Sequence, residues 1–532
     1  MERTPSDINS AWQSPMRLGL IFCALTLLAY IIARLLSDRR RNPSRLPLPP
    51  GPKGYPLIGN LFDVPTSQQW RTYAEWAKVY GDVFSFEVLG QRIIVINSLE
   101  DAQELLEKRS ANYSDRPRMP MVLELMNAEH IFALFPYGQW WKRHRRTFDE
   151  HFRANAVWKY QSIQAQETRA FLNRLLRSPE RFILHIREAL TSSIMNIVYG
   201  IKIQGANDPY VVNIEESNQG IVLAANPGAF LVDVIPVLKY VPSWFPGAGF
   251  KKKAEHLVKV NRKVVELPFN HVAQQVKGGT AGPSVASALI GALPQGNRQL
   301  LAEKTRIAQN VSAVAYAAGV DTSISAIQWF FLAMAMYPET QRKAQAELDT
   351  VIGPHRLPEF SDRPSLPYVN ALVKETMRWQ LVAPLGLPHM ATNDDVYAGY
   401  FIPKGSLVFG NAWKILHDER VFVDPGDYRP ERYLKDGHLN PDMRQPEVGA
   451  FGFGRRICPG RFLSDNTIFS IVSSTLYVFN ITPALDSNGV PIPLSKATTS
   501  GVTSSPEPFT VDIKPRSPSS TALVMDAVSG DD

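Results

Sequence analysis

Apolar positions recur at helical spacing around residues 67–80, 99–110, 140–175, 250–277, 300–336, 338–352, 367–381 and 460–480. This pattern predicts a mostly helical protein. Shorter runs of β-branched and aromatic residues interrupt it at Val83–Val88, Arg92–Ile96 and from Tyr397 to Val408. They predict a small β region beside the helical mass. No period of about 20 to 50 residues repeats, which excludes a solenoid.

Three stretches break the pattern. No charge falls between Leu18 and Ala33, and the apolar run continues past Arg34 to Leu36. As a helix it would rise about 28 Å, close to the roughly 30 Å hydrocarbon core. A removed signal peptide would end in a small-residue cleavage site, but Arg39, Arg40, Arg41 and Arg45 follow instead. The expectation is a single-pass N-terminal transmembrane helix within an anchor region, 1–45. The arginines outnumber Arg3 and Arg17 on the other flank, so the body should face the cytosol. The sequons at Asn112, Asn310 and Asn480 should then stay unglycosylated. A proline-rich hinge, 46–56, cannot form helix and reads as a stiff spacer. The second stretch, Asn226 to Phe250, is apolar but broken by Pro227, Pro236, Pro242 and Pro246, and its Trp244 and Phe245 lead into Lys251, Lys252 and Lys253. It suits either a contact with lipid headgroups or a buried connecting loop. The third, 515–532, is rich in Ser, Pro and Asp and reads as a flexible tail, which leaves 57–514 as the body between hinge and tail.

Composition narrows the chemistry. A chain of 532 residues, 45% hydrophobic and 20% charged, is neither disordered nor fibrous. Its net charge of +7 is modest, and the densest basic run directly follows the apolar segment. That points to a membrane surface and not to nucleic acid. The two cysteines, Cys23 in the apolar segment and Cys458 in a glycine-rich loop, exclude a disulfide framework and a multi-cysteine zinc site. There is no Gly-Lys dipeptide for a phosphate loop, no G-x-S-x-G and no H-E-x-x-H. His417-Asp-Glu419 has no second histidine in a setting that would complete an iron facial triad.

The strongest signal is Phe451-Gly-Phe-Gly-Arg-Arg-Ile-Cys-Pro-Gly460. A cysteine offered by a tight loop at a helix start is favoured as a thiolate by the helix amides. Gly454 and Gly460 would allow turns that a β-carbon forbids, and Arg456 could reach a carboxylate. Four other elements occur elsewhere. Glu375-Thr-Met-Arg378 places acid and base on one helix face, and Arg429-Pro-Glu-Arg-Tyr433 lies downstream. Trp141-Lys-Arg-His-Arg145 is a basic helix, and Ala318-Gly-Val-Asp-Thr322 puts an acid and a hydroxyl inside an apolar helix. Taken singly, each has an ordinary reading: an inert core cysteine, a surface ion pair, a solvated basic face, and a threonine bonded back to its own helix beside a locally paired acid.

Together, in this order, these elements resemble the cytochrome P-450 family of haem-thiolate monooxygenases, fungal microsomal members most closely, from the proline hinge to about Ile513. The resemblance implies the family's fold, a helical haem-binding body with small sheets. It implies haem b with Cys458 as the axial ligand to iron. Phe451, Gly454, Gly460 and Arg456 would form the cofactor loop, with Trp141, Arg145 and His389 as propionate donors. Glu375, Arg378 and Arg432 would form a structural charge triad holding the cysteine loop, with Tyr433 where phenylalanine is common. Gly319 would make room for dioxygen, while Asp321 and Thr322 relay protons.

Substrate contacts are expected from Met121, Val122, Leu125, Phe132, Val314, Ala318, Val382 to Leu385 and Thr499 to Val502. Their apolar character suits a lipophilic small molecule such as a terpenoid, polyketide or aromatic alkaloid precursor in secondary metabolism. The implied reaction inserts one oxygen atom of dioxygen by hydroxylation or epoxidation. Electrons would come from NADPH through NADPH-cytochrome P-450 reductase, docked on the face with Lys142, Arg143 and Arg146, and cytochrome b5 is a second candidate donor. The implied location is the endoplasmic reticulum membrane. Two competing readings keep Cys458: a haem-thiolate isomerase or peroxygenase, for which the acid and hydroxyl are superfluous, and a non-catalytic haem sensor.

Overall fold

The computed structural model describes residues 21, 22, 25, 39–205, 207–226 and 228–529. The apolar run from Leu18 to Leu36 falls almost wholly outside them. Among the described residues no helix is long and apolar enough to cross a membrane.

The body is mainly helical, as the periodicity predicts. Its principal helices are α1 (Gln69–Tyr80), α2 (Gln139–Phe152), α3 (Gln161–Arg177), α4 (Phe182–Tyr199), α5 (Pro209–Ala225), α6 (Gly249–Gly278), α7 (Arg298–Met336), α8 (Pro338–Ile352), α9 (Pro367–Trp379), α10 (Arg461–Val478) and α11 (Pro518–Ser529). The central one is α7, 39 residues long. It begins where the Asn297 side chain accepts the Leu300 amide and stops at Tyr337, before Pro338. From Ile307 to Ala335 it is buried on almost every side, packed by α2, α4, α6 and α10. Trp329 stacks edge-on against Trp379 of α9 at 5.9 Å, both without solvent exposure.

The sheet is small. Strands β1 (Val83–Val88), β2 (Gln91–Ile96), β3 (His389–Met390) and β6 (Leu407–Gly410) form one sheet in the order β1-β2-β6-β3, β2 and β6 running parallel. Strands β4 (Asp395–Tyr397) and β5 (Tyr400–Ile402) form a hairpin, as do β7 (Leu434–Lys435) and β8 (His438–Leu439). Strands β9 (Phe479–Pro483) and β10 (Val511–Pro515) pair across a long excursion. At the sheet's end a β-carbon on Gly410 would lie 2.5 Å from the Phe453 ring, so the sheet abuts the cysteine loop.

Several expectations need correction. The stretch 140–175 is two helices with a turn at Arg153–Tyr160, and α4 and α5 were not foreseen. The proline hinge is no free spacer. Prolines lack amide donors but keep their carbonyls, and Pro50, Pro49 and Pro47 accept from Ser85 N, Ser85 Oγ and Phe401 N, each at 2.8 Å. A β-carbon on Gly51 would lie 1.8 Å from Ser85 O, so the segment docks flush on β1. The C-terminal segment is not loose up to Ser529. Ser517 Oγ caps α11 by accepting Ser520 N at 3.1 Å, and Val524 is fully buried as α11 packs on α3. The stretch after Asn226 is not a buried connection: Leu231, Val237, Tyr240, Trp244 and Phe245 are all exposed, Trp244 by 79%.

Candidate active site

The cysteine loop is closed by its own backbone. Cys458 N donates to Phe451 O at 2.8 Å, and Ile457 N to Gly454 O at 3.2 Å. Gly452 and Gly454 take φ of 79° and 54°, in the left-handed region. A β-carbon on Gly454 would also meet Leu106 O at 2.0 Å, so that glycine is demanded twice. Gly460 is different. Its φ is −86°, and a β-carbon there would make ordinary contact with Cys458 Sγ at 3.9 Å. The backbone freedom expected of Gly460 therefore belongs to Gly452. Gly460 serves as the cap before α10, its carbonyl accepting Ser464 N at 3.0 Å.

Two effects act on the Cys458 thiol. Burial pushes it up, while the Gly460 and Arg461 amides and the Arg145 and Arg461 charges pull it down. Arg145 Nη1 donates to Ile457 O at 2.5 Å and its Nε to Asp149 Oδ2 at 3.1 Å; Arg461 Nη1 donates to Cys458 O at 2.9 Å. Both guanidiniums thus brace the main chain on either side of the thiol.

Facing this loop is a buried cationic cluster. Arg456 lies over the Trp141 ring at 4.3 Å and donates to Ser114 O at 2.7 Å and Phe135 O at 2.8 Å. Its Nη1 is buried without a partner, as is Ser114 Oγ. Arg116 donates to Ala133 O at 3.2 Å and to Leu387 O and Pro388 O, both at 2.7 Å. Burial, then repulsion from Arg456, pushes Arg116 down to about 9; burial pushes Arg456 down to about 10. Buried His389 Nδ1 donates to Tyr113 O at 2.7 Å, and burial followed by the Arg116 charge drives its pKa well below the ordinary value. Asp115 offsets part of this charge, but its Oδ1 already accepts Arg116 N and Tyr137 N. Such crowding in a low dielectric, with a guanidinium nitrogen left over, is costly unless an anion completes it. The carboxylates of a porphyrin would do so, and the residues fit the cofactor. Sequence reasoning found Arg456 and His389 but missed Arg116, which stands in the polar run Ser114-Asp-Arg-Pro-Arg118 and reads as an ordinary surface arginine. Trp141 reaches this cluster beneath Arg456, whereas Arg145 turns to the cysteine loop.

The charge triad is assembled and dry. Arg378 Nε and Nη2 pair with the two oxygens of Glu375 at 2.7 Å, and Arg432 Nε meets Glu375 Oε1 at 3.1 Å. Glu375 and Arg378 are fully buried. Their remaining donors take the carbonyls of Leu416, Val423, Pro425 and Asp427. The triad therefore clamps α9 to the 416–432 segment, and its bonds go there and not to the cysteine loop. Tyr433 is buried with its hydroxyl unpartnered.

On α7, Ala318 is exposed, and Gly319, Asp321 and Thr322 are half-buried, in the stretch from Ile307 to Ala335 that is otherwise largely enclosed. Thr322 Oγ1 donates to Ala318 O at 2.8 Å, the ordinary threonine bond. Asp321 is paired off its own helix, accepting from Asn218 Nδ2 of α5 at 2.8 Å and facing Arg187 Nη1 of α4 at 3.5 Å. A β-carbon on Gly319 would meet only Ile194 of α4, at 3.5 Å, so its bareness faces α4.

The expected substrate segments converge in part. Ser325 Oγ of α7 donates to Ser504 O, Ser504 N to Val382 O and Val502 N to Asn226 Oδ1. Val382, Thr499 and Val502 are half-buried there, whereas Leu385 packs with Tyr73, Phe84 and Phe86, and Leu125 with Met121 and Val122. Met121 and Val122 instead pack into a cluster with Ile221 and Ala254 of α5 and α6. Phe132 sits on His144 and Phe148 of α2, and Val314 is buried in the main core. On the outer face of α2, Lys142, Arg143 and Arg146 are exposed, Arg143 pairing with Glu303.

Comparison with known proteins gives the family. The profile of the family described as Cytochrome P450 matches residues 49–512. The chain is 49% identical to Cytochrome P450 monooxygenase COX2 of Coprinopsis cinerea, covering 90% of this chain and 91% of that protein. It is 44% identical to Cytochrome P450 monooxygenase COX1 of the same fungus over 95% and 98% of the two chains. Tryptamine 4-monooxygenase of Psilocybe cyanescens is 38% identical over 92% and 96%.

Proposed function

The chain belongs to the cytochrome P450 family and is a haem-thiolate monooxygenase; on that premise we propose that it hydroxylates or epoxidises a lipophilic small molecule of secondary metabolism, such as a terpenoid, polyketide or aromatic alkaloid precursor. The observation that carries this substrate class is the junction of the 382 and 499–504 segments with α7, where Ser504 N donates to Val382 O and Ser504 O accepts from Ser325 Oγ. Val382 and Val502 at this junction are apolar and half-buried, and the acid on α7, Asp321, is already held by Arg187 and Asn218. An apolar junction favours a lipophilic substrate. Among the relatives, the one named for tryptamine supports an aromatic precursor within that class.

When bound, the haem supplies activation of dioxygen and transfer of one of its atoms, with electrons delivered by a redox partner. The chain's own residues do the rest. Cys458 is the residue to hold the iron, and the loop bonds at Phe451, Ile457 and Arg461 fix its direction. Arg116, Arg456 and His389 are placed to hold the cofactor's carboxylates. The Thr322 hydroxyl, bonded to Ala318 O, holds a proton at the open face of α7, and Asp321 beside it is the acid to replenish that proton. The exposed Lys142, Arg143 and Arg146 form the docking face for NADPH-cytochrome P450 reductase, and cytochrome b5 is a further donor to the same face. We place the enzyme at the endoplasmic reticulum membrane facing the cytosol, on the strength of the Leu18–Leu36 run with its arginine flank and the exposed Trp244 and Phe245.

The test is co-expression with a reductase in a host fed terpenes, polyketides and indoles, with mass spectrometry under labelled dioxygen. A product heavier by one labelled oxygen, dependent on NADPH, is expected. Haem-loaded enzyme that turns substrate over without NADPH would replace this reading with a peroxygenase or isomerase, and one that consumes no oxygen with any substrate, with a sensor.

A further inference from the structure

Asn218 lies within α5, and its amide nitrogen donates twice to α7: to Ala317 O at 2.9 Å and to Asp321 Oδ2 at 2.8 Å. The other Asp321 oxygen faces Arg187 Nη1 of α4 at 3.5 Å, and the same nitrogen donates to Glu215 Oε1 of α5 at 3.0 Å. The carboxylate is therefore oriented by two neighbouring helices and not by its own. Arg187 divides its charge between two acids and stands at the limit of hydrogen-bond distance. Asn218 makes the shorter bond, and its second bond anchors it to the α7 backbone one residue before Ala318. Next to Asn218, Ser217 Oγ donates to Asn261 Oδ1 of α6 at 2.6 Å, and Asn261 Nδ2 to Met126 O at 2.8 Å, all buried. One side chain thus joins the acid to a unit made of α5, α6 and the segment ending at Met126.

We propose that Asn218 is a positioning residue for the oxygenation reaction, setting the orientation of the Asp321 carboxylate and making that orientation depend on α5 being seated against α7. The inference rests on the reading of Asp321 as the proton-delivering acid. An amide suits this role because it carries no charge, and so directs one carboxylate oxygen without competing for the proton. Without it, Asp321 keeps only the divided Arg187 contact, and of the side-chain bonds between α5 and α7 only the long one from the Tyr316 hydroxyl to Tyr210 O, at 3.4 Å, is left.

The experiment compares Asn218→Leu, Asn218→Gln, Asp321→Ala and the double variant Asn218→Leu/Asp321→Ala in the full-length haem-loaded enzyme with its reductase. Asn218→Leu is expected to lower product formed per NADPH about tenfold, a usual effect of losing a partner that orients a functional group. Peroxide should rise in step, with substrate affinity from spectral titration unchanged. Asn218→Gln, which retains the donor, should restore most of the coupling, and Asn218→Leu should add nothing in the Asp321→Ala background. Independently of turnover, amide hydrogen exchange across 209–225 should quicken in Asn218→Leu and in Asp321→Ala. Should Asn218→Leu fail to fold, Asn218→Ser, which loses the bidentate amide but keeps a small polar side chain, carries the same prediction. Uncoupling in Asp321→Ala with normal coupling and exchange in the Asn218 variants overturns the inference and leaves the relay standing. Normal coupling in Asp321→Ala overturns the relay itself.

Discussion

The two sides of α7 are held together differently. Towards the cysteine loop the chain uses fixed backbone geometry and buried charge: left-handed glycines at 452 and 454, a dry Glu375–Arg378–Arg432 triad and guanidiniums braced on carbonyls around Cys458. On the side of α5 and α6 it uses scattered polar ties between elements: Asn218 to Asp321, Asn261 to Met126, Asp233 to Met121 N, and Glu124 between Arg118 and Lys239. Beyond them lies exposed apolar surface at Leu231, Val237, Tyr240 and Trp244. The first region can tolerate little change because each residue satisfies a steric or charge demand that no other residue type meets. The second is a set of separate ties, each of which can be replaced without disturbing the others.

The contrast is broken most severely at Cys458. Cys458→Ala should abolish the thiolate-type carbon monoxide difference spectrum entirely while the fold persists, because the loop is closed by main-chain bonds and not by the thiol. A retained thiolate spectrum would remove the basis of the active-site assignment. Next in size is Glu375→Ala, which strands Arg378 and Arg432 in a dry interior. Losing one partner of such a cluster costs about 3–5 kcal/mol, and the loss should appear as a lowered denaturation midpoint. A change under about 1 kcal/mol would mean that the carbonyls of Leu416, Pro425 and Asp427 suffice to hold the arginines.

This difference also explains what the sequence reveals. A demand met by one residue type leaves a spaced signature, so the cysteine loop, Glu375 with Arg378, Arg432 and the Trp141 helix are all readable from spacing. Arg116 is not, because it stands alone and its partners Leu387 and Pro388 are brought to it only by the fold. Helix α4 escapes periodicity because it is buried on most sides, from Phe182 to Tyr199, and its polar row of Glu188, Ser192 and Asn196 is narrow. Strands β9 and β10 are separated by a long excursion, and α11 hides in a Ser- and Pro-rich composition although Ser517 caps it. Gly319 and Gly460 are the reverse case: the motif marks them, yet neither has the steric need in this structure that their place in the motif suggests.

On the distal side the effects should be smaller and separable. If the exposed aromatics meet a bilayer, Trp244 emission in full-length enzyme on vesicles should be quenched by brominated acyl chains. Trp244→Ser with Phe245→Ser should remove that component and weaken the contact by about 2 kcal/mol, from roughly 25 cal/mol for each Å² of apolar surface withdrawn from water. Quenching identical in the wild type and the double variant would show that this surface faces water.

The smallest effect belongs to Glu124, and it tests whether the polar ties act together. Its carboxylate accepts Arg118 Nε at 2.6 Å and Nη2 at 2.9 Å, and Lys239 Nζ at 2.7 Å, which pulls it down to about 2. A carboxyl lowered on folding contributes stability that is complete above its unfolded value of 4.5 and fades as pH falls towards about 2. Glu124→Gln at neutral pH therefore imitates the acid limit. Because these side chains are partly in water, the loss should be within about 1 kcal/mol and should shrink further in high salt. Amide hydrogen exchange is the measurement: residues 118–126 should open faster in Glu124→Gln, with the cysteine loop unchanged. If exchange instead quickens across 118–126 and 209–261 together, the ties of Glu124, Asp233 and Asn261 hold one cooperative cover, and the distal side gains collectively the fixity that the proximal side has residue by residue.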